Sequence, residues 1–138
     1  MARFIGLMSG TSLDGVDGVL AEFIDAGSPR VLAHRHHPFD DSLRAALLRL
    51  NQPSEGELHR AALASNAVAR CYAAVVAALL VSAGTTAAEV SAIGAHGQTV
   101  RHRPHEFDGT GYTVQLLNGH LLAELAGIDV VCDFRGRD

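Results

Sequence analysis

The stretch FIGLMSGTSLDGVDGVLAEF, Phe4–Phe23, sets four glycines, three hydroxyl side chains and two aspartates between two apolar runs. Phe4, Ile5, Leu7 and Met8 form a short apolar run that stops at glycine, the pattern of a buried strand, and Val16 to Ile24 reads as a second strand. SGTSLDG, Ser9 to Gly15, is then the connection between them. A turn joining two antiparallel strands needs only about two to five residues with a glycine or asparagine in the left-handed region, so this segment carries more polar groups than its geometry demands. Gly10 and Gly15 let backbone come close to a ligand, and the amides and hydroxyls of Thr11 and Ser12 are donors suited to phosphate oxygens. Asp14 would repel a bare phosphate but can orient a hydrated magnesium ion that bridges to one. The competing reading is a β-turn held by Asp and Ser side-chain bonds to its own backbone. Neither the P-loop pattern nor the dinucleotide fingerprint fits, because no GK[ST] follows and a strand, not a helix, comes next.

Working outward, the turn residues AGSP, Ala26 to Pro29, lead into a third strand over Val31 to His36, which predicts an antiparallel three-strand meander. Asp40 or Asp41 caps a helix through Leu50, with Leu43, Leu47 and Leu50 at helical spacing. Ser54, three residues before Glu57, has the capping-box pattern and opens the longest helix, to about Ala83, where Gly84 stops it. Leu58, Ala62, Ser65, Ala69, Tyr72, Val76 and Leu79 share one stripe, and the many alanines predict close packing on a sheet. A strand over Val90 to Ala95 ends in HGQT, a short strand follows over Tyr112 to Leu116, a helix over His120 to Ala126 stops at Gly127, and Asp129 to Cys132 is the last strand. With no repeat or linker, residues 1–138 read as one domain of α/β class, a mixed sheet with the meander at one side and helix-connected parallel strands at the other. Ligands gather beyond the carboxyl ends of strands in such sheets, and SGTSLDG, HGQT and DFRGRD (Asp133–Asp138) fall at such places.

Composition narrows the partner. At 138 residues and 48% hydrophobic content the chain can bury a real core. A net charge of -4 and a pI near 6.0 supply no basic field for nucleic acid or an anionic membrane, which favours a small molecule. Cys71 and Cys132 lack any paired ligand spacing and read as reduced thiols, as in a cytoplasmic protein. The apolar stretch in MARFIGLMSG is too short for the core of a secretion signal. The uncharged run from Cys71 to Ala88 is mostly alanine, is broken by Ser82, Gly84, Thr85 and Thr86, and reads as a buried helix rather than a membrane span.

His96, Gln98 and Thr99 combine an imidazole, an amide and a hydroxyl at a strand end, a set suited to sugar hydroxyls, although a polar loop can also satisfy itself. His96, His102 and His105 are irregularly spaced around Arg101 and Arg103, which argues against zinc. His34, His36 and His37 are expected on the exposed face or edge of the third strand. Arg135 and Arg137 can pair in bidentate fashion with a carboxylate or phosphate, or form a merely solvated charge cluster.

The run GLMSGTSLDGVD, Gly6 to Asp17, closely resembles the N-terminal signature of the anhydro-N-acetylmuramic acid kinases, bacterial enzymes of the sugar-kinase, Hsp70 and actin superfamily. IGAHGQTVRHRP, Ile93 to Pro104, and DVVCDFRGRD, Asp129 to Asp138, support the likeness. The resemblance implies a ribonuclease-H-like half-domain and an ATP-dependent reaction, in which water opens the 1,6-anhydro ring of anhydro-N-acetylmuramic acid while its 6-oxygen is phosphorylated, in cell-wall recycling. It assigns Gly10, Thr11, Ser12, Leu13, Asp14, Gly15, Val16 and Asp17 to the ATP-phosphate loop, Asp14 to Mg2+, and His96, Gln98, Thr99 and Arg135 to the amino sugar, with the lactyl carboxylate or phosphate as the anion that Arg135 or Arg137 would pair. Gly136 stands where relatives more often carry arginine, and Leu117 replaces the glycine of a QIGD-like run, so no ligand role passes to Asn118. Only the N-terminal third of a family member is matched. The GGQGAPL-like and DTGPGN-like segments, the latter carrying the general base, do not occur in these residues. The expectation is that the base lies beyond Asp138, that this segment alone is inactive, and that the longer protein pairs as a homodimer. The rival readings are a non-catalytic nucleotide-binding or interaction module and a non-functional remnant.

Overall fold

The computed structural model describes residues 1–25 and 27–136. Ala26 of the AGSP turn, and Arg137 and Asp138 of the DFRGRD stretch, lie outside the described residues. The chain runs β1 (Ala2–Ser9), β2 (Gly15–Phe23), β3 (Arg30–Pro38), α1 (Asp41–Arg49), α2 (Glu57–Ala83), a 3-10 turn (Ala87–Glu89), β4 (Ala92–Pro104), β5 (Gly111–Leu116), α3 (Gly119–Ala126) and β6 (Val130–Val131).

The first three strands form the expected antiparallel meander, with Ile5 opposite Leu20 and Val16 opposite His37. β4 joins β1 in parallel, Ile5 opposite Ile93, and the sheet order is β3-β2-β1-β4-β5. Ile93 pairs with both Ile5 and Val130, and Gln98 with both Ser9 and Leu116. β6, parallel, and β5, antiparallel, therefore share the outer side of β4. This α/β mixed sheet is consistent with an actin-like ATPase half-domain, as expected.

Alternation along the strands decides which side is core. Ile5, Leu7, Val16, Leu20, Ile93 and Ala95 are buried beneath Val68, Tyr72, Val75, Val76 and Leu79 of α2. Phe4, Met8, Val19 and Phe23 point to the opposite face and are exposed. Close approach of α2 to the sheet depends on Gly18, where an added Cβ would stand 2.5 Å from Val75 Cγ1 and 2.9 Å from Leu7 Cδ2. By length and composition α2 could cross a membrane, yet here it packs against β2, β3, α1 and α3.

Helix ends follow their sequence signals in three places. Asp40 caps α1 by accepting from the Leu43 amide at 2.7 Å, and Gly84 and Gly127 close α2 and α3 in the left-handed conformation. Two expectations need correction. α2 starts at Glu57 behind Gly56, so Ser54 is not its cap; the Glu57 carboxylate accepts from the Ser54 amide at 3.1 Å, but the Ser54 hydroxyl is taken by Arg60. The stripe also fails at its start, because Leu58 is 86% exposed and Ala62 is exposed, the buried series beginning at Ala64 and Val68. The first turns of α2 stand off the sheet across an apolar cavity in which Leu58 and Ala61 face Val100 and Arg101 of β4 and Val114 and Leu116 of β5. Glu57 there is ion-paired with Arg101, whose Nε also donates to the Leu50 carbonyl at 3.1 Å.

A second correction of length concerns β4, expected to end at Ala95. It continues through HGQT to Pro104 because its second half finds a new partner in β5, from Gln98 opposite Leu116 to Pro104 opposite Gly111.

Gly18→Ala is expected to lower stability by about 1–3 kcal/mol through overpacking against Val75 and Leu7, read as a lower urea midpoint with unchanged slope. Three carboxylates are held below their ordinary range: Glu57 chiefly by its bond from Arg101, Glu89 by the Thr86 hydroxyl, and Asp108 by the Gly111 amide. Because folding lowers these values, their contribution is complete above the ordinary carboxylate range and is lost as acid drives the pH down through the folded values. The urea midpoint should fall as the pH is lowered through the carboxylate range, and Glu57→Gln should flatten that dependence.

Candidate active site

The loop between β1 and β2 is a tight turn with a polar crest. Leu13 takes φ 59° and its amide donates to the Gly10 carbonyl at 3.2 Å, while its side chain is buried as an anchor. The Phe39 amide donates to the Asp14 carbonyl at 3.3 Å, and at Gly15, with φ 148°, a Cβ would stand 2.2 Å from the His37 carbonyl oxygen. The loop is thus pinned to the end of β3 at its exit, where only glycine fits. Gly10, Thr11, Ser12 and Asp14 face solvent, whereas the side chains of Leu13 and Val16 belong to the core.

Beneath the loop lies a buried polar layer. Opposite the end of β1 the parallel ladder slips, Leu7 pairing with Ala95 but Ser9 with Gln98. The extra residue sits at Gly97, φ 84°, and puts the consecutive residues Gly97 and Gln98 both inside. Gln98 is fully buried and its Nε2 donates to the Gly10 carbonyl at 3.0 Å and to the Thr99 carbonyl at 3.2 Å. The Ser9 hydroxyl lies 2.8 Å from the Tyr72 hydroxyl of α2 and 3.3 Å from the Gly97 carbonyl oxygen. Burial pushes the Tyr72 phenol up to about 12, so it remains protonated and serves as a hydrogen-bonding group.

His96 is half-buried, and its Nδ1 stands 2.9 Å from the Gly97 carbonyl oxygen. A carbonyl only accepts, so Nδ1 carries the hydrogen and Nε2 is left as an acceptor. His96 helps line a cavity of about 230 Å³ with Thr113, Gln115, Leu117, Cys132 and Asp133. Thr99 joins the same neighbourhood through Gln115, whose Nε2 donates to Thr99 Oγ1 at 3.2 Å and Thr113 Oγ1 at 2.7 Å. Arg135 is half-buried in the turn after β6.

The structure thus seats the loop that carries Thr11, Ser12 and Asp14 on Gln98 through the Gly10 carbonyl, and brings His96 to a cavity whose Gln115 also bonds Thr99. Asp17 stands apart from the turn. It lies within β2 opposite Met8, on the face bearing Val19, with its Oδ1 3.1 Å from His36 Nδ1 and 3.5 Å from His34 Nε2. His34, His36 and His37 are exposed on β3, as expected. Among the described residues no three His, Cys, Asp or Glu side chains converge as metal ligands.

Sequence reasoning placed Ser9 in the connecting loop and Tyr72 in the apolar stripe; the structure puts Ser9 at the end of β1, buried against the Tyr72 hydroxyl, a pairing that no local pattern signals. The same reasoning passed over Thr113, Gln115 and Asp133, which only the fold of β5 and the turn after β6 bring to His96.

A protein-family model described as anhydro-N-acetylmuramic acid kinase matches residues 2–138. Curated proteins bearing that name are similar along nearly the whole chain. One from Variovorax paradoxus is 64% identical over 135 residues, covering 98% of this chain and 36% of its own length. Others come from Cupriavidus metallidurans, 62% identical over 98% of this chain and 35% of its own, and Bordetella pertussis, 58% identical over 98% and 34%. The chain therefore spans about a third of the length of the curated relatives it matches.

Tyr72→Phe is expected to cost about 1 kcal/mol, one buried hydrogen bond, in chemical denaturation. Since folding raises the phenol above its ordinary value of 10.0, its contribution is intact below that pH and fades as alkali approaches about 12. Ultraviolet titration of the folded chain should accordingly show the Tyr72 phenolate, identified as the signal missing from Tyr72→Phe, only above about pH 11.

Proposed function

The chain belongs to the anhydro-N-acetylmuramic acid kinase family, and we propose that it supplies the ATP-phosphate loop and part of the amino-sugar pocket for the phosphorylation of 1,6-anhydro-N-acetylmuramic acid. The observation that carries this reading is an exposed donor-rich turn, Gly10 to Asp14, seated on a fully buried amide at Gln98 next to a polar cavity reached by His96.

Thr11 and Ser12 offer amide and hydroxyl hydrogens to phosphate oxygens, with Gly10 leaving the backbone open. Leu13, Gly15 and Val16 act through the backbone, which their buried positions hold in place. Asp14 orients the water shell of a magnesium ion carried with the nucleotide. When bound, ATP supplies the phosphoryl group for the sugar 6-oxygen. The His96 Nε2 accepts from a sugar hydroxyl, Thr99 and Gln115 continue that polar wall, and Arg135 pairs with the lactyl carboxylate. Asp17, held by His34 and His36, flanks the loop rather than contacting phosphate. The base that activates the water is assigned to the part of the longer relatives this chain does not span, and the longer protein pairs as a homodimer. A cytoplasmic, cell-wall-recycling role belongs to the same reading.

A chimera tests it. In the relative from Variovorax paradoxus, the matching 135 residues are replaced by this chain, and ATP-dependent formation of N-acetylmuramic acid 6-phosphate is followed. Product is expected, and Asp14→Asn in the chimera should lower its rate about tenfold or more. A folded chimera that makes no product, beside an active parent, would sink the proposal. The 138 residues by themselves should give no turnover.

A further inference from the structure

We propose that Gln98 is a positioning residue of the phosphate loop and not a sugar ligand: its side-chain amide clamps the Gly10 carbonyl from below and fixes the turn whose amides face solvent. The inference rests on reading Gly10 to Asp14 as the phosphate loop.

Glutamine has two amide hydrogens, and both are committed here. One goes to the Gly10 carbonyl at 3.0 Å and the other to the Thr99 carbonyl at 3.2 Å. The orientation is not interchangeable, because the reversed amide would press its oxygen against two carbonyl oxygens. The side chain is 0% exposed, and its Oε1 is buried without a hydrogen-bond partner. No donor remains for a sugar hydroxyl, and the one open acceptor is shielded from the cavity that His96 lines.

What the clamp accomplishes follows from its target. The Gly10 carbonyl already receives the Leu13 amide, the single backbone bond that closes the turn. A second donor on the same oxygen, delivered from β4, ties that turn to the centre of the sheet. With the Gly10 peptide fixed, the Thr11 amide that follows it is fixed as well, so the loop need not be ordered when an anion arrives. An unpartnered buried oxygen costs stability, and its retention fits a side chain kept for orientation rather than for packing.

The test uses the 138-residue chain and two variants, Gln98→Met, which keeps the volume and deletes both hydrogens, and Gln98→Glu, which keeps the shape. Amide hydrogen exchange at Leu13 is the main readout, with Mg·ATP affinity of the chimera carrying the same substitutions, by calorimetry, beside it. Loss of Leu13 protection in folded variants, with Mg·ATP affinity lowered about fivefold, supports the clamp. Loss of Leu13 protection together with unchanged Mg·ATP affinity in the chimera leaves the clamp standing and removes the phosphate-loop reading. Unchanged Leu13 protection in a folded variant overturns the clamp. Should both variants fail to fold, the wild type still decides: its Gln98 Nε2 hydrogens must exchange slowly, and rapid exchange overturns the proposal.

Discussion

Where β1 finishes beside β4 the parallel ladder takes one step too many, and Gly97 absorbs the excess at φ 84°. The site depends on that irregularity. A regular strand alternates its side chains, so two neighbours cannot both face the core. The bulge lets Gly97 present its carbonyl to Ser9 and His96 while Gln98 turns inward beneath Gly10. A Cβ at Gly97 would press to 3.1 Å from the Leu116 carbonyl oxygen, so glycine and the positive φ are both required. Just past this point β4 exchanges β1 for β5, and the sheet turns from a parallel to an antiparallel ladder at the place where loop and cavity meet.

α2 supplies the complementary constraint. It comes near enough to the sheet to touch it because Gly18 has no side chain, and the same proximity lets the Tyr72 hydroxyl reach Ser9. One helix therefore both fills the core and reaches the polar layer under the loop. Farther along, the Arg3 guanidinium donates to Glu22 at 3.0 Å and to Thr85 at 2.9 Å, tying the start of β1 to the segment after α2. The meander is held against its helix at both ends.

Much of this is legible in the residues. Asp40, Gly84 and Gly127 mark helix ends because capping is local chemistry, and the glycine-rich run betrays its loop because it carries more donors than a turn consumes. Other features depend on partners distant in sequence. Nothing in HGQT announces that the strand continues, since its continuation is set by pairing with β5, and no period exposes a bulge. Leu58 fits the apolar stripe of α2 yet stays exposed at the edge of a cavity between the first turns of the helix and β4 and β5. HGQT equally gives no sign that the Gln98 amide bonds the Gly10 carbonyl, a contact made only when the fold carries the loop over it. Ser54 shows how one local rival can redirect a motif, for Arg60 occupies the hydroxyl that would have capped the helix.

The strand farthest from the cavity carries a consequence of its own. β3 stands at the end of the sheet order, so one row of its backbone amides and carbonyls has no neighbouring strand among the described residues. Such a border invites another chain to add itself. Arg30 and Arg35 set positive charge along it, Pro38 removes a donor at its end, and the register slip between Leu20 and Ala21 disturbs its regularity. The meander that presents the loop is thereby discouraged from recruiting copies of itself into a continuous, polymerising sheet.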